Sequence, residues 1–599
     1  MIERMKKITM LVSARARDRF IKGLREAGVL HIQHVREPRG HEASYLEDRI
    51  DKLDKAIEAL SRYEKKARAA NLGGQAKGDH VESADRVLEY AREKGVIAEK
   101  ISSLKGKLGW FSVWGEIDPA DIRSIAGRGV NIKLYRVDKA GLKTLEDEKE
   151  CHIVGYDGKQ ALVALITRDQ DKTLPFDEIP VPEESPDTLR EELALAMSEL
   201  DANEKVLLDE AAHMGRLREG REKIRQELEF TRVRLGMQEE VGFAYVQGFC
   251  PASKIGRIKE LASAAGAGYL INDPDDPDVT PTLITNPAWI RIIDPVFKFM
   301  NTLPGYGEYD ISVYFLLFFS LFFAMLVGDA GYGILFLILT AVARRKLRNA
   351  PREPFILMYV LSTATVIWGT ITGTWFGSEK LAKLPLLRDM VVPAISSFAG
   401  DNQNLMIFIC FVIGAIHLTI AHALKAIRVI NSPKAVSEIG WIAILWSMFF
   451  AAGKFVLGNV FPPYAGWMFI AGIVCVLFFS NTERGIVKGA LATLADLPLS
   501  VISSFSDVVS YLRLFAVGFA TVVVADSFNS MALGGAKGIV GSLMAAMILF
   551  MGHALNIILA CMAVIVHGIR LNMLEFSGHL GMQWSGRKYD PFGGSGTEL

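Results

Sequence analysis

The chain has 599 residues, 50% of them hydrophobic, with 67 basic and 67 acidic side chains and a formal net charge of zero. The neutral balance argues against nucleic acid as a main partner. The average also hides two unlike halves: up to about residue 300 the chain is heavily charged and no window could span a membrane, and beyond it come apolar runs.

Met5 to Val35 reads as strand, helix, strand, with KKITMLV and VLHIQHV as the strands and Gly28 as the helix stop. A charged helical stretch follows, with Leu46, Ile50, Leu53, Ile57 and Leu60 spaced as a coiled-coil seam. Asn71 to Gly74 breaks it, and a second charged stretch runs to about Leu108. WFSVWGEI, NIKLYRV, CHIVGYD and ALVALITR look like strands, and DPADIRSIAGRG like a helix, which makes an α/β lobe over 110–185. PFDEIPVPEESP is a linker.

From Leu189 a return stretch keeps Leu193, Ala196, Leu200, Leu207, Met214, Leu217, Ile224, Leu228 and Leu235 on one heptad register, interrupted by Asn203, Glu210, Arg221 and Thr231. Its cheapest partner is the outgoing stretch, giving an antiparallel coiled-coil arm roughly 60–70 Å long. Phe243 to Ile271 reads as strand, helix, strand and pairs with the first unit. The expected fold is therefore α+β cytosolic lobes joined by a coiled-coil arm, followed by an all-α eight-helix transmembrane domain. Its parts are a proximal lobe (1–40 and 240–300), the arm (41–109 and 186–239), the distal lobe (110–185) and the membrane domain (301–599).

Two stretches of this half invite a ligand and then fail. GYDGKQ at Gly155–Gln160 lacks the spacing and the Ser/Thr of a phosphate loop. DPDDPD at Asp273–Asp278 lacks the glycine and distal glutamate of a calcium loop. Cys151, Cys250, Cys410, Cys475 and Cys561 are scattered without metal or disulfide spacing, which suits a reducing cytosolic side. No catalytic residue, metal or cofactor is expected. The N-terminus shows no signal-peptide core, so the soluble half is expected in the cytoplasm.

Apolar length gives eight spans, roughly 309–328, 330–345, 354–377, 404–425, 438–460, 464–481, 495–527 and 541–571. Basic clusters at Arg344–Arg352, at Lys425, Arg428 and Lys434, and at Arg484 and Lys488 put alternate loops, and both termini, on the cytoplasmic side. Lys380, Lys383 and Arg388 in an outer loop run against this pattern.

Polar residues inside the spans are the candidates for function. Arg513 sits among leucines and phenylalanines in SSFSDVVSYLRLFAVGFATVVVAD. A cation there costs roughly 2.5–3.5 kcal/mol on insertion scales, so it needs a reason. Ser503, Ser506 and Ser510 precede it at helical spacing and suggest a wettable face, with Asp507 near the cytoplasmic entrance. The competing reading of Arg513 is a cation reaching for lipid headgroups. In the last span His553, Asn556, His567 and Arg570 fall within a third of the helix circumference. Arg570 either belongs to that face or snorkels, and Glu575 is placed to pair with it. Gly328, Asp329 and Gly331 permit a tight bend, with Asp329 read as a turn-capping carboxylate. His417, His422 and Lys454 are expected to be satisfied by neighbouring helices.

SDVVSYLRLFAVGFA, LFFAMLVGDAGYGIL, PTLITNP and VHGIRLNMLEF together resemble the membrane stator subunit of A-type and V-type rotary ATPases, called subunit I or subunit a, over essentially the whole chain. The resemblance implies that Arg513 is the essential ion-transport residue and Arg570 a second functional arginine. It implies as partners a rotor ring of small membrane subunits bearing carboxylates, peripheral stalk subunits, and membrane lipid, with central-stalk subunits as a further candidate. Two positions depart from eukaryotic members: Thr521 stands where they carry a histidine, and Ala560 where they carry an acidic residue. Two other classes remain for comparison, a secondary transporter with a cytosolic regulatory domain and a purely structural coiled-coil anchor.

Overall fold

The computed structural model describes residues 1–69, 79–138, 141–142, 145, 150–240, 242–397, 402–481, 486–535 and 538–593. The expected break at Asn71–Gly74 lies outside them.

Met5–Ser13 turns Met5, Ile8, Met10 and Val12 inward, the period-two pattern of a strand with one covered face. It pairs antiparallel with Phe243–Pro251 on one side and Gly268–Asn272 on the other. The two sequence units are thus interleaved in one five-stranded sheet, completed by His31–Gln33 and Gln238–Glu240. Helix Arg17–Ala27 ends at Gly28 with φ +58. The second strand is shorter than VLHIQHV predicts, because Val29 and Leu30 enter the lobe core as coil and are fully buried.

The arm is helical and antiparallel. Ion pairs cross it with one number rising as the other falls: Glu42–Arg234, Glu47–Arg232, Asp54–Arg221 and Glu64–Arg218. The upper part continues the order with Arg86–Glu210, Lys94–Glu204 and Lys107–Glu184. Leu46, Leu53 and Leu60 are buried in one cluster with Leu207, Met214, Leu217, Ile224 and Leu228. The return stretch is two helices, Pro186–Ala212 and Met214–Gly236, broken at His213. The outgoing stretch also doubles: His80–Trp114 starts alongside His41–Ser61, with Ala84 and Val87 in the same core.

WFSVW is not a strand. It is the last turn of His80–Trp114, where Phe111 packs on Leu189 and Trp114 covers Leu134 and Leu162 of the distal sheet. Packing partners on a helical face override the β preference of an aromatic run. The distal lobe therefore begins about five residues later than the sequence suggests. Its four strands run in the order Cys151–Asp157, Gln160–Thr167, Asn131–Val137, Glu178–Ile179, all antiparallel.

Every predicted span is helical, but not as eight equal crossings. Among the described residues five stretches are long and apolar enough to cross a membrane: Glu353–Thr372, Gln403–Arg428, Lys434–Leu457, Val487–Gly534 and Gly538–Leu580. Ser312–Val327 and Ala330–Lys346 have 16 and 17 residues and meet at a 118° bend. Each is only about 25 Å long at 1.5 Å per residue, against a hydrocarbon core of about 30 Å. Pro463–Phe479 is equally short. Among the described residues the count is five, or six with the bent pair taken as one span; eight requires the three short helices to cross as well.

The last residues leave the membrane domain to which the sequence assigns them. Arg587–Lys588 lies parallel to Pro281–Thr282. Tyr589 donates its hydroxyl to the Val29 carbonyl at 2.6 Å, and the Phe592 N–H reaches the Leu30 carbonyl at 2.9 Å. Phe592 is 2% exposed inside the proximal-lobe core, with Val233, Met237 and Ile258. Phe592→Ala should therefore destabilise the proximal lobe by about 3–5 kcal/mol. Loss of hydrogen-exchange protection in Met5–Ser13, with the membrane helices unaffected, is the expected reading.

Candidate functional site

Arg513 follows a helix break that is itself pinned. Ile486–Ser510 and Leu512–Gly535 meet at Tyr511. The Tyr511 ring is buried and its hydroxyl lies 2.8 Å from His417 Nδ1. His417 is stacked between Phe318 and Phe576, at 3.9 and 4.3 Å between ring centres. The break falls between the expected serine stack and Arg513. Ser503 and Ser506 are exposed, and only Ser510 reaches Arg513, through its backbone carbonyl, which accepts from Nε at 3.2 Å.

Arg513 donates from a terminal nitrogen to Glu575 Oε1 at 3.0 Å, and Arg570 Nε stands 3.4 Å from the same oxygen. Two guanidinium groups therefore share one carboxylate. Glu575 is 3% exposed, Arg513 24% and Arg570 53%, so the anion is inside and both cations reach outward. The other oxygen, Oε2, has no hydrogen-bond partner among the described residues. The pairing of Arg570 with Glu575 rests on local backbone geometry. Val564–Gly568 and Leu571–Phe576 are π-helical, and i→i+5 winding brings residues five apart onto one side. An α-helix would turn them well apart.

The polar face expected on the last span divides. His553 Nδ1 lies 2.8 Å from the Tyr332 hydroxyl, and Asn556 donates to that hydroxyl at 3.0 Å and to the Thr521 carbonyl at 2.8 Å. His553 Nε2 faces Asn529 Oδ1 at 3.2 Å. His567 and Arg570 belong instead to the π-helical end, and His567 Nδ1 is buried without a partner among the described residues. Thr521 donates to the Gly518 carbonyl at 2.8 Å and Ala560 is fully buried, so neither supplies a charge. Asp507 pairs with His579, its Oδ2 3.0 Å from Nε2. Lys454 lies over the Phe461 ring.

Asp329 caps the turn. Oδ1 accepts from the backbone N–H of Gly331, Tyr332 and Phe376 at 2.8, 3.2 and 2.9 Å, and Oδ2 from Gly377 at 2.8 Å. Gly328 takes φ +66, which favours glycine. Across the turn Gly369 touches the backbone, where a Cβ would stand 2.2 Å from the Ala330 nitrogen.

A narrow crevice runs beside the arginine helix, from Ser396, Ser397, Asn402 and Gln403 to Leu514, Phe515 and Gly518. No sequence signal announced it, because its walls come from four separate stretches.

No family model matches the chain. Among curated proteins it is similar to V-type ATP synthase subunit I 1 of Treponema pallidum (strain Nichols), 30% identical over 625 residues that cover 99% of this chain and 100% of that one. V-type ATP synthase subunit I of Borreliella burgdorferi is 29% identical, with 99% of each covered. A-type ATP synthase subunit I of Methanocaldococcus jannaschii is 28% identical over 58% of this chain and 54% of that one. A crystal structure of the cytoplasmic N-terminal domain of subunit I, homolog of subunit a, of V-ATPase covers 44% of this chain at 14% identity, but its TM-score of 0.23 is too low to carry an argument. Full-length likeness and the apolar helices agree: the chain belongs to the subunit I family of V-type and A-type ATP synthases, a membrane subunit of the rotary enzyme.

Proposed function

We propose that this chain is the ion-translocating stator half of the membrane motor, with Arg513 facing carboxylates on a rotor ring. The observation that carries the reading is the charge count at the helix break: two arginines share one buried glutamate, which leaves one positive charge uncompensated and partly exposed. The helices that present it are the least covered of the long ones. Of their most apolar stretches, 33% and 22% are buried, against 39–44% for the other three. That leaves an apolar face for lipid and for a ring.

In this reading a ring carboxylate nearing Arg513 is stabilised as the anion in a low-dielectric setting and gives up its ion. Arg570 stays with Glu575, so the buried glutamate keeps a counter-charge while Arg513 turns to the ring. The fixed cation also bars a straight leak between the two aqueous routes. The crevice lined by Ser396, Asn402 and Gln403 serves as the outer route. Each charge moved through 100 mV supplies about 2.3 kcal/mol, so several ions must pass per ATP. The short helices complete eight crossings, both termini face the cytoplasm, and the antiparallel arm acts as a coiled coil whose lobes dock on peripheral stalks, with central-stalk subunits as a further candidate partner. ATP chemistry takes place on other chains.

The test is ATP-driven ion transport by the assembled complex carrying Arg513→Ala in sealed liposomes. Transport at the parental rate would refute the assignment.

A further inference from the structure

The arginine site leaves a second group of titratable side chains unused. Lys425 and His422 lie on Gln403–Arg428, Glu438 on Lys434–Leu457, His579 on the closing turn Ser577–Leu580, and Asp507 on Ile486–Ser510. They form one unbroken row. Lys425 Nζ is 2.9 Å from Glu438 Oε1, and Glu438 Oε2 is 2.8 Å from His422 Nδ1. His422 Nε2 is 2.8 Å from His579 Nδ1, and His579 Nε2 is 3.0 Å from Asp507 Oδ2.

Exposure is high at the ends and low between. The side chains of Lys425 and Asp507 are 38% and 30% exposed, while Glu438, His422 and His579 are 9%, 6% and 11% exposed. The Lys425 end lies in a basic loop with Arg428 and Lys434, on the side that basic residues mark as cytoplasmic. The far end lies at the motor site. Asp507 precedes the Tyr511 break by four residues, and His579 follows Glu575, the partner of Arg513, by four.

We infer that this row is the cytoplasmic leg of the ion route, that the ion it carries is the proton, and that the proton passes through side chains rather than as a hydrated ion. This rests on the stator reading above and extends it to the identity of the cargo. Two imidazoles in series are what decides it. An imidazole can take a proton on one nitrogen while releasing one from the other. A sodium ion needs room and several oxygen ligands, and a 2.8 Å contact between two ring nitrogens offers neither.

The step balances. Protonated Glu438 gives its proton to His422 Nδ1 as His422 Nε2 passes its own to His579 Nδ1. His579 Nε2 then delivers a proton to the Asp507 carboxylate. Glu438 ends as the anion, Asp507 as the acid, both rings remain neutral with reversed tautomers, and every hydrogen bond in the row is kept. Once Asp507 has released its proton, a turn of each imidazole restores the starting tautomers for the next one. Lys425 stays charged throughout and stabilises the emptied Glu438. Asp507 then exchanges its proton with a ring carboxylate at the Arg513 site.

A row that merely tied the helices together would survive glutamine at either histidine, since an amide also donates and accepts. Glutamine cannot relay a proton. In the assembled complex reconstituted into liposomes, ATP should drive internal acidification, read by a pH-sensitive dye, in buffer without sodium, and should drive no uptake of radioactive sodium. His422→Gln and His579→Gln should each cut acidification at least ~10-fold, with added imidazole restoring part of the rate at His579. Should either fail to assemble, Asp507→Asn at the half-exposed end should give the same loss.

Sodium uptake without acidification would overturn the ion assignment and leave the stator reading standing. Parental acidification in the glutamine and asparagine variants would overturn the relay alone. Only normal transport by Arg513→Ala would remove the reading on which both depend.

Discussion

Arg513→Ala is expected to bring ATP-driven ion transport by the assembled complex to background, a loss of at least ~100-fold, while the soluble catalytic sector still hydrolyses ATP. The size follows from electrostatics. Two unit charges about 4 Å apart at an effective dielectric of about 20 attract by ~4 kcal/mol, and losing that term costs a carboxylate about three powers of ten in ionisation. Glu575 adds to the loss. With Arg513 gone, Arg570 alone faces it at 3.4 Å, and the site's uncompensated positive charge disappears. Arg513→Lys keeps a charge but gives up the planar fork that reaches the Ser510 carbonyl and Glu575 together, so transport should be partial. Dye-detected transport in liposomes, beside the hydrolysis rate of the same preparation, separates lost coupling from lost assembly.

Asp329→Ala should be the most damaging substitution for the membrane bundle itself. It strands four backbone N–H groups, from Gly331, Tyr332, Phe376 and Gly377, at a site where the carboxylate is 2% exposed. An unsatisfied buried donor costs about 1–3 kcal/mol, so the expected loss is ~4 kcal/mol or more. Asp329→Asn retains one acceptor oxygen and turns the other position into a donor facing Gly377. It should cost less, on the order of 1–3 kcal/mol. Thermal unfolding of the two variants in detergent would rank them, and equal midpoints would remove the case for the cradle.

The parts of this molecule that show in its sequence are those whose cause is local. Arg513 stands out because a cation inside an apolar run has few reasons to be there. Asp329 stands out between glycines for a similar reason, and the interleaved strands follow from period-two burial. The parts that did not show have distant causes. WFSVW has strand-forming residues, and only the sheet beneath Trp114 makes it helical. Nothing near Tyr511 signals a helix break, since the pin is His417, 94 residues earlier. Arg570 and Glu575 meet through π-helical winding, which leaves no periodicity to read. The glutamate was legible as a partner for Arg570, but its sharing with Arg513 was not. The row from Glu438 to Asp507 joins residues 16, 157 and 72 positions apart, none of which is exceptional alone.

Phe592 carries a last consequence. The proximal lobe lacks one of its own interior aromatics until the membrane helices that precede Phe592 have been translated. The hydrogen bond that seats that ring spans 562 positions, to Leu30. Newly made chains must therefore hold an incompletely filled lobe through the whole of insertion. Its core closes only when the segment that follows the last membrane helix has come back to it.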